Sequence, residues 1–130
     1  MYSSTTFRRR LPFPRLTWRR WRCYIKPMGK KKLGLLLSTP PENKNLKTAV
    51  SLAKEALHQG MDAYLYLIDD GVRNLDRPEI DELAQQGAKL FLCAYGAQRR
   101  GIPNSEKAAF CGLVVLSDLM KGCDRFVTFN

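Results

Sequence analysis

Acidic side chains are absent from the first 32 residues of this 130-residue sequence, yet that stretch holds eleven of the 22 Lys and Arg residues. The overall charge of +10 and the isoelectric point near 9.8 are typical of nucleic-acid-binding proteins. Residues 33–130, however, hold eleven basic and twelve acidic side chains. The positive charge therefore belongs to this first stretch, and we expect no direct nucleic-acid contact from the domain that follows it.

The leader, residues 1–29, also lacks a repeating apolar stripe and contains three prolines. We expect it to be disordered by itself. No apolar h-region follows its arginines, which excludes a secretory signal. Its Ser, Thr and Arg content fits an organelle transit peptide, whereas Met28 fits a true start that lies downstream of the assigned one. We prefer the second interpretation, which predicts a cytoplasmic protein; the first predicts an organelle.

Long apolar runs and metal-binding patterns are missing as well. No stretch approaches the roughly 20 apolar residues that a membrane span needs. The four cysteines, at positions 23, 93, 111 and 123, form no CxxC pair, and His58 is the single histidine. These spacings match no common zinc pattern, so we expect no metal. So few cysteines also exclude a disulfide scaffold and favour a reducing compartment.

What the sequence does contain, over residues 30–130, is an alternation of short apolar runs and amphipathic stretches. Strands are predicted at 33–38, 62–69, 88–94, 112–116 and 124–129, with helices at 46–57, from Asp76 to 86 and over 94–100. We also expect a helical turn near 105–110 and a brief helix from Ser117. Continuous apolar strands between helices predict one α/β domain with a mostly parallel five-stranded sheet covered on both faces.

Cys93 stands where the third predicted strand, "AKLFLCA", gives way to a helix. A helix amino terminus and nearby arginines lower the pKa of a thiol, and the thiolate is the nucleophile. A thiolate in that place can attack a persulfide or a disulfide. Most free cysteines, in contrast, are small buried hydrophobes. Position alone leaves both interpretations of Cys93 open.

Three neighbours of Cys93 in the sequence, Arg99, Arg100 and Gly101, form an "RRG" segment. Both arginines fall near the predicted carboxyl end of the helix, where cations are favourable without any catalytic role. Their functional alternative is to steer an anionic sulfur donor or an acidic partner toward the thiol. Cys111 is interpreted either as a core residue or as a second, resolving thiol.

A bound flavin or nucleotide is disfavoured by the loop after the first strand. A phosphate cradle needs convergent backbone N–H groups, but Pro40 and Pro41 remove two of them and the loop has no glycine. We therefore expect no cofactor. The Asp70–Gly71 pair is interpreted as a turn.

The segment "LCAYGAQRRGI", with "DDGVRNL" after the second strand and the ending "CDRFVTF", resembles the DsrE/DsrF-like family of small sulfur-relay proteins, including its TusD-like members. The resemblance covers residues 33–130. It implies a flavodoxin-like three-layer sandwich that assembles into trimers or hexamers, as a homo-oligomer or with related subunits. It also implies sulfur-donor and sulfur-acceptor partner proteins.

By the same resemblance, Cys93 corresponds to the cysteine that accepts sulfane sulfur as a persulfide, with Arg99, Arg100 and Gly101 in support. The chain is thus expected to be a sulfur carrier of the sulfurtransferase type. The alternative is a non-catalytic assembly subunit of a sulfur-relay complex in which Cys93 only packs.

Overall fold

The structure, a computed structural model, describes residues 30–130. The predictions for the leader lie outside the described residues. Five strands, four α-helices and a 3-10 helix follow one another along the described part of the chain. In order these are β1 (Lys32–Leu37), α1 (Asn45–His58), β2 (Asp62–Leu67), the 3-10 helix (Asp69–Asp76), α2 (Pro78–Gln85), β3 (Lys89–Cys93), α3 (Ala94–Arg99), β4 (Ala109–Cys111), α4 (Leu113–Gly122) and β5 (Arg125–Phe129).

The five strands form one sheet in the order β4-β3-β2-β1-β5, and every neighbouring pair is parallel. The predicted α/β, flavodoxin-like architecture is confirmed. Because parallel crossovers are right-handed, the chain that steps from β1 to β4 places its helices on one face, and the return to β5 places α4 on the other. The strand order reverses between β1 and β5. Cys93, at the end of β3, lies at the same carboxyl edge of the sheet as this reversal point, but two strands away from β1.

The best-buried part of the molecule lies between the sheet and helices α1 and α2. Successive side chains of a strand point to opposite faces, and the leucines on the α1 side of the strands are almost completely buried. Each contributes about 1.5–3 kcal/mol relative to an exposed position. These residues are Leu33, Leu35, Leu37, Leu65, Leu67, Leu90 and Leu92.

The opposite face of the sheet is less completely covered. Leu36, Tyr64 and Phe91 on this face are half-buried, and the rings of Tyr64 and Phe91 stack with centroids 6.3 Å apart. Helix α4 packs here without burying any of its residues fully. Apolar side chains on both the sheet and α4 therefore remain partly open to solvent on this side.

The second half of the chain departs from two sequence predictions. The "GLVVL" run at 112–116, predicted as a strand, opens helix α4, and the expected helical turn near 105–110 is replaced by the short strand β4. A short apolar run does not distinguish a strand from a helix by its periodicity. One consequence is that Cys111 lies on the sheet rather than beside it.

Helix α2 begins later than predicted. The sequence predicts a start at Asp76, but Asp76 ends the 3-10 helix, Arg77 is the N-cap residue and Pro78 is the first helical residue. Proline favours this first position because its missing N–H would have no helical partner there. The helix ends at Gln85 with Gln86 as its C-cap, close to the predicted end at 86, and Gly87 follows with a φ of +107°.

Candidate functional site

Cys93 is both the last residue of β3 and the N-cap residue of α3. Its Sγ accepts a hydrogen bond from the backbone N–H of Gly96, with a distance of 3.4 Å. The apolar run before Cys93 makes the strand, and the small residues after it allow the chain to turn into a helix directly. The helix amino terminus carries partial positive charge, so the sulfur is held where negative charge is favoured.

The thiol is mostly covered but borders an open pocket. Cys93 is only 6% exposed. The pocket beside it has a volume of about 420 Å³. Its other lining residues come from the end of β2, from α3 and from the start of α4; they are Ile68, Asp69, Tyr95, Gly96, Arg99, Arg100, Gly112 and Leu113. A small sulfur-containing group can therefore approach Cys93 from this pocket, although the thiol is part of the core.

Both predicted arginines line this pocket, but their surroundings differ. Arg100 donates to one carboxylate oxygen of Asp70 at 3.0 Å and to the Gly96 carbonyl at 3.3 Å. Arg99 contacts the Tyr95 hydroxyl at 3.3 Å and lies over the same ring. Within residues 30–130, the ion pairs leave Arg99 without a carboxylate partner. Arg99 is thus the cation that remains available to an anion in the pocket.

The glycine of the "RRG" segment ends helix α3. Gly101 has a φ of +67°, its N–H donates to the Gln98 carbonyl, and the Ile102 N–H donates to the Ala97 carbonyl. These two bonds form a Schellman motif, which glycine favours because it has no Cβ. Gly101 therefore terminates the helix that carries Arg99, and this structural role does not depend on any role in catalysis.

Residue Asp69 lies beside the thiol pocket with an uncommon backbone conformation. Its φ is +54°, in the left-handed region, and the Gly71 N–H bonds to the Ile68 carbonyl across it. Asp and Asn tolerate this region better than other non-glycine residues. The predicted Asp70–Gly71 turn is thus the start of the 3-10 helix. The sequence did not predict the left-handed backbone of Asp69, because this conformation has no reliable signature in a non-glycine residue.

Cys111 lies directly across from Cys93 on the neighbouring strand. The two residues are register partners of β4 and β3, so their side chains point to the same face. Burial raises the pKa of the Cys111 thiol, whereas the nearby Tyr66 hydroxyl opposes that shift. The prediction from sequence left Cys111 between core and second thiol, and the register now places it beside the first thiol.

Tyr66 is the residue of this cluster that sequence reasoning missed. Its side chain is fully buried, and its hydroxyl donates to the Gly112 carbonyl at 3.1 Å. Burial raises the pKa of this phenol, and the neighbouring Cys111 and Cys93 raise it further. A tyrosine inside an otherwise apolar strand is the signal that could have found it, because a buried phenol needs a hydrogen-bond partner.

Cys123 does not join this cluster. It lies before the first residue of β5, where its Sγ approaches Gly34 of β1, whereas Cys93 and Cys111 end their strands. Burial raises the pKa of its thiol. This position fits a packing role for Cys123.

Two further properties concern the described residues only. Residues 30–130 contain no group of three or more His, Cys, Asp or Glu side chains arranged to hold a metal ion. None of their helices is both long and apolar enough to cross a membrane.

Fold and site together define a class of protein: a small α/β protein with a parallel sheet, in which a cysteine at the carboxyl end of a strand borders a pocket lined by two arginines. The model of the DsrE/DsrF-like family matches residues 31–129. The chain therefore belongs to the DsrE/DsrF-like family, as the resemblance of its motifs indicated. Membership points to a role in sulfur relay and to relay proteins as partners.

Solved structures agree with this fold. The YchN protein from E. coli is 22% identical and superposes with a TM-score of 0.67 over 78% of this chain and 100% of its own. A conserved protein of unknown function from Bacteroides thetaiotaomicron is 15% identical, with a TM-score of 0.64 over 76% of this chain and 95% of its own. No curated protein sequence matches the chain significantly.

Proposed function

We propose that this protein is a sulfur carrier of the sulfurtransferase type, which accepts sulfane sulfur on Cys93 and passes it to a partner protein. The observation that carries the proposal is the pocket that Cys93 and Arg99 both line. Persulfides and polysulfides are anionic, so an arginine without a carboxylate partner at the reacting thiol attracts them.

The transfer consists of two thiol exchanges that need no outside oxidant or reductant. The Cys93 thiolate attacks the outer sulfur of a donor persulfide, a new S–S bond forms on Cys93, and the donor leaves as a thiolate. An acceptor thiolate then attacks the outer sulfur of the Cys93 persulfide. Cys93 returns to the thiolate, and no metal or flavin takes part in the proposed steps.

Exposed side chains around the pocket fit a carrier that must meet other proteins. Tyr95 is 65% exposed and Leu113 is 59% exposed, and both line the pocket. Large apolar groups at the entrance of a reactive site provide a surface on which a donor or acceptor can dock. We propose that relay partners cover these two side chains during transfer.

A second candidate function is favoured by the low exposure of Cys93. A thiol that is 6% exposed can also be a packing residue, and the chain would then be a non-catalytic assembly subunit of a sulfur-relay complex. Both functions agree with a homo-oligomer, such as a trimer or hexamer, or with assembly with related subunits. Only the carrier needs a reactive Cys93.

Loading and discharge of the intact protein separate the two functions. The reduced protein is treated with polysulfide without oxygen, desalted and weighed; the carrier gains one sulfur atom and loses it again to an added thiol. Cys93→Ser is expected to gain none, whereas Cys123→Ala, which removes a packing thiol elsewhere, behaves as the wild type. A wild-type protein that gains no sulfur and resists alkylation at Cys93 would establish the assembly subunit instead.

A further inference from the structure

Two thiols share one face of adjacent parallel strands at the edge of the sheet. Cys93 and Cys111 are the last residues of β3 and β4 and are direct register partners. Neighbouring strands lie about 4.8 Å apart, so the Cα atoms of register partners fall within the span of roughly 4.4–6.8 Å that a disulfide bridges. Both thiols are free in this structure.

Tyr66 lies near this pair on β2, the strand next to β3. Its hydroxyl is fixed by the Gly112 carbonyl at 3.1 Å and also lies 3.5 Å from the Cys111 carbonyl. Both thiols also contribute to the raised pKa of the Tyr66 phenol, so the three groups belong to one neighbourhood. The carrier role of Cys93 leaves this arrangement unused, because a persulfide that only waits for an acceptor needs no second thiol.

We propose that Cys111 is a resolving thiol, which attacks Sγ of a Cys93 persulfide, expels hydrosulfide and leaves a Cys93–Cys111 disulfide. This inference rests on the proposed carrier function of Cys93. The balance is complete: one S–S bond breaks and one forms, the outer sulfur is reduced to HS⁻, and the two cysteines supply its two electrons. A later dithiol reductant returns the pair to thiols.

The surroundings of the pair determine when this reaction competes with transfer. The attacking group is the thiolate of Cys111, and burial raises the pKa of that thiol, so resolution is slow near neutral pH and accelerates as the pH rises. Cys111 also does not line the pocket through which Cys93 is reached. An acceptor in the pocket can therefore take the outer sulfur first, and resolution removes sulfur that finds no acceptor.

The test uses the full chain with Cys23→Ser and Cys123→Ala, so that Cys93 and Cys111 are its remaining thiols. The protein is loaded with polysulfide without oxygen, desalted, and followed by intact mass and by a sulfide assay. We expect the extra sulfur to disappear, one hydrosulfide to be released per chain, and the product to weigh two hydrogens less than the reduced protein. Adding Cys111→Ser should preserve the loaded sulfur. Equal loss of sulfur with and without Cys111, or movement of the sulfur to Cys111 without release of sulfide, would overturn the inference.

A second arm needs no persulfide and separates the inference from the carrier proposal. An aromatic disulfide such as 5,5′-dithiobis(2-nitrobenzoate) forms a mixed disulfide with Cys93, and Cys111 should then expel the second thionitrobenzoate to give a bridged chain without adduct. Failure to load sulfur with successful bridging contradicts the carrier and leaves the reactive pair standing. Successful loading with a chain that keeps one or two adducts contradicts the resolving role of Cys111.

Discussion

The backbone of Gly71 lies so close to the end of β1 that no side chain fits at this position. A Cβ at this position would collide with the Leu37 carbonyl oxygen. The contact fixes the start of the 3-10 helix against β1, and the same helix supplies Asp70 to Arg100. The close approach of Gly71 to β1 thus helps to position Asp70, and through it Arg100 at the pocket.

We predict that Gly71→Ala lowers the free energy of unfolding by about 1–3 kcal/mol, as overpacking of a rigid site does. Urea unfolding measures the change. The matched control is Gly122→Ala at the end of α4, where a Cβ would meet no atom within 4 Å, and this variant should be neutral or slightly stabilised. Equal stability of the two variants would contradict the close approach at Gly71.

The buried phenol of Tyr66 should make the stability of the protein depend on pH. Burial, with added effects of Cys111 and Cys93, raises the pKa of the Tyr66 phenol above its ordinary 10.0. The folded state therefore keeps this proton more tightly than the unfolded chain, and the stabilisation is complete below pH 10 and lost as the pH rises further. In Tyr66→Phe the decline in unfolding free energy above pH about 10 should be smaller than in the wild type. An identical decline in both proteins would exclude Tyr66 as its source.

At the scale of elements, α3 separates two arginines that the sequence presents as a pair. Arg100 is bound by Asp70, whereas Arg99 faces the pocket with its charge uncompensated by any carboxylate of the described residues. The sequence alone predicted both at the end of the helix and could not distinguish them. The difference arises from the 3-10 helix, which is distant in sequence.

We predict that Arg99→Gln slows the reaction of Cys93 with an anionic disulfide, relative to neutral iodoacetamide, by about tenfold or less at low salt. Added salt should reduce the difference because it screens charge. Arg125→Gln is the control. It removes the same charge at the start of β5, at the edge of the sheet opposite to the pocket, and should have little effect. Equal slowing of the anionic and neutral reagents would indicate that Arg99 acts on the structure of the site instead of its charge.

The first three strands and α1 were predictable because their apolar patterns are long and uninterrupted. Residues 105–116 were not predictable in this way, since Val114 and Val115 favour strands intrinsically but occupy the first turn of α4. Tertiary context decides such a segment. The same error hid the surroundings of Cys111. The sequence placed Cys93 directly before a helix and left two interpretations of Cys111 open, but it did not show that Cys111 is the register partner of Cys93 or that Tyr66 lies nearby.

For the whole molecule, we propose that the exposed apolar side chains of α4 form an assembly surface. Val114 is 75% exposed and Met120 is 53% exposed, and the half-covered face of the sheet lies beneath this helix. Exposed apolar groups that cluster on one side of a small protein mark interaction sites. We expect a homo-oligomer that uses this surface.

Light scattering coupled to size-exclusion chromatography checks this expectation. Val114→Glu should shift the protein to smaller species, because a buried carboxylate without a partner opposes association. Leu52→Glu on α1, at another exposed apolar residue, should leave the assembly unchanged. A monomeric wild type, or equal dissociation by both variants, would contradict the assembly surface on α4.

The location of the carried sulfur is tested most directly with four full-length variants, each of which keeps one of the four cysteines. Each is treated with polysulfide and weighed intact, and the loaded peptide is mapped. The Cys93-only protein is expected to gain one sulfur atom on the peptide that contains Cys93 and to return it to an acceptor thiol. A Cys93-only protein that stays unloaded while another variant takes up sulfur would show that Cys93 is not the carrier.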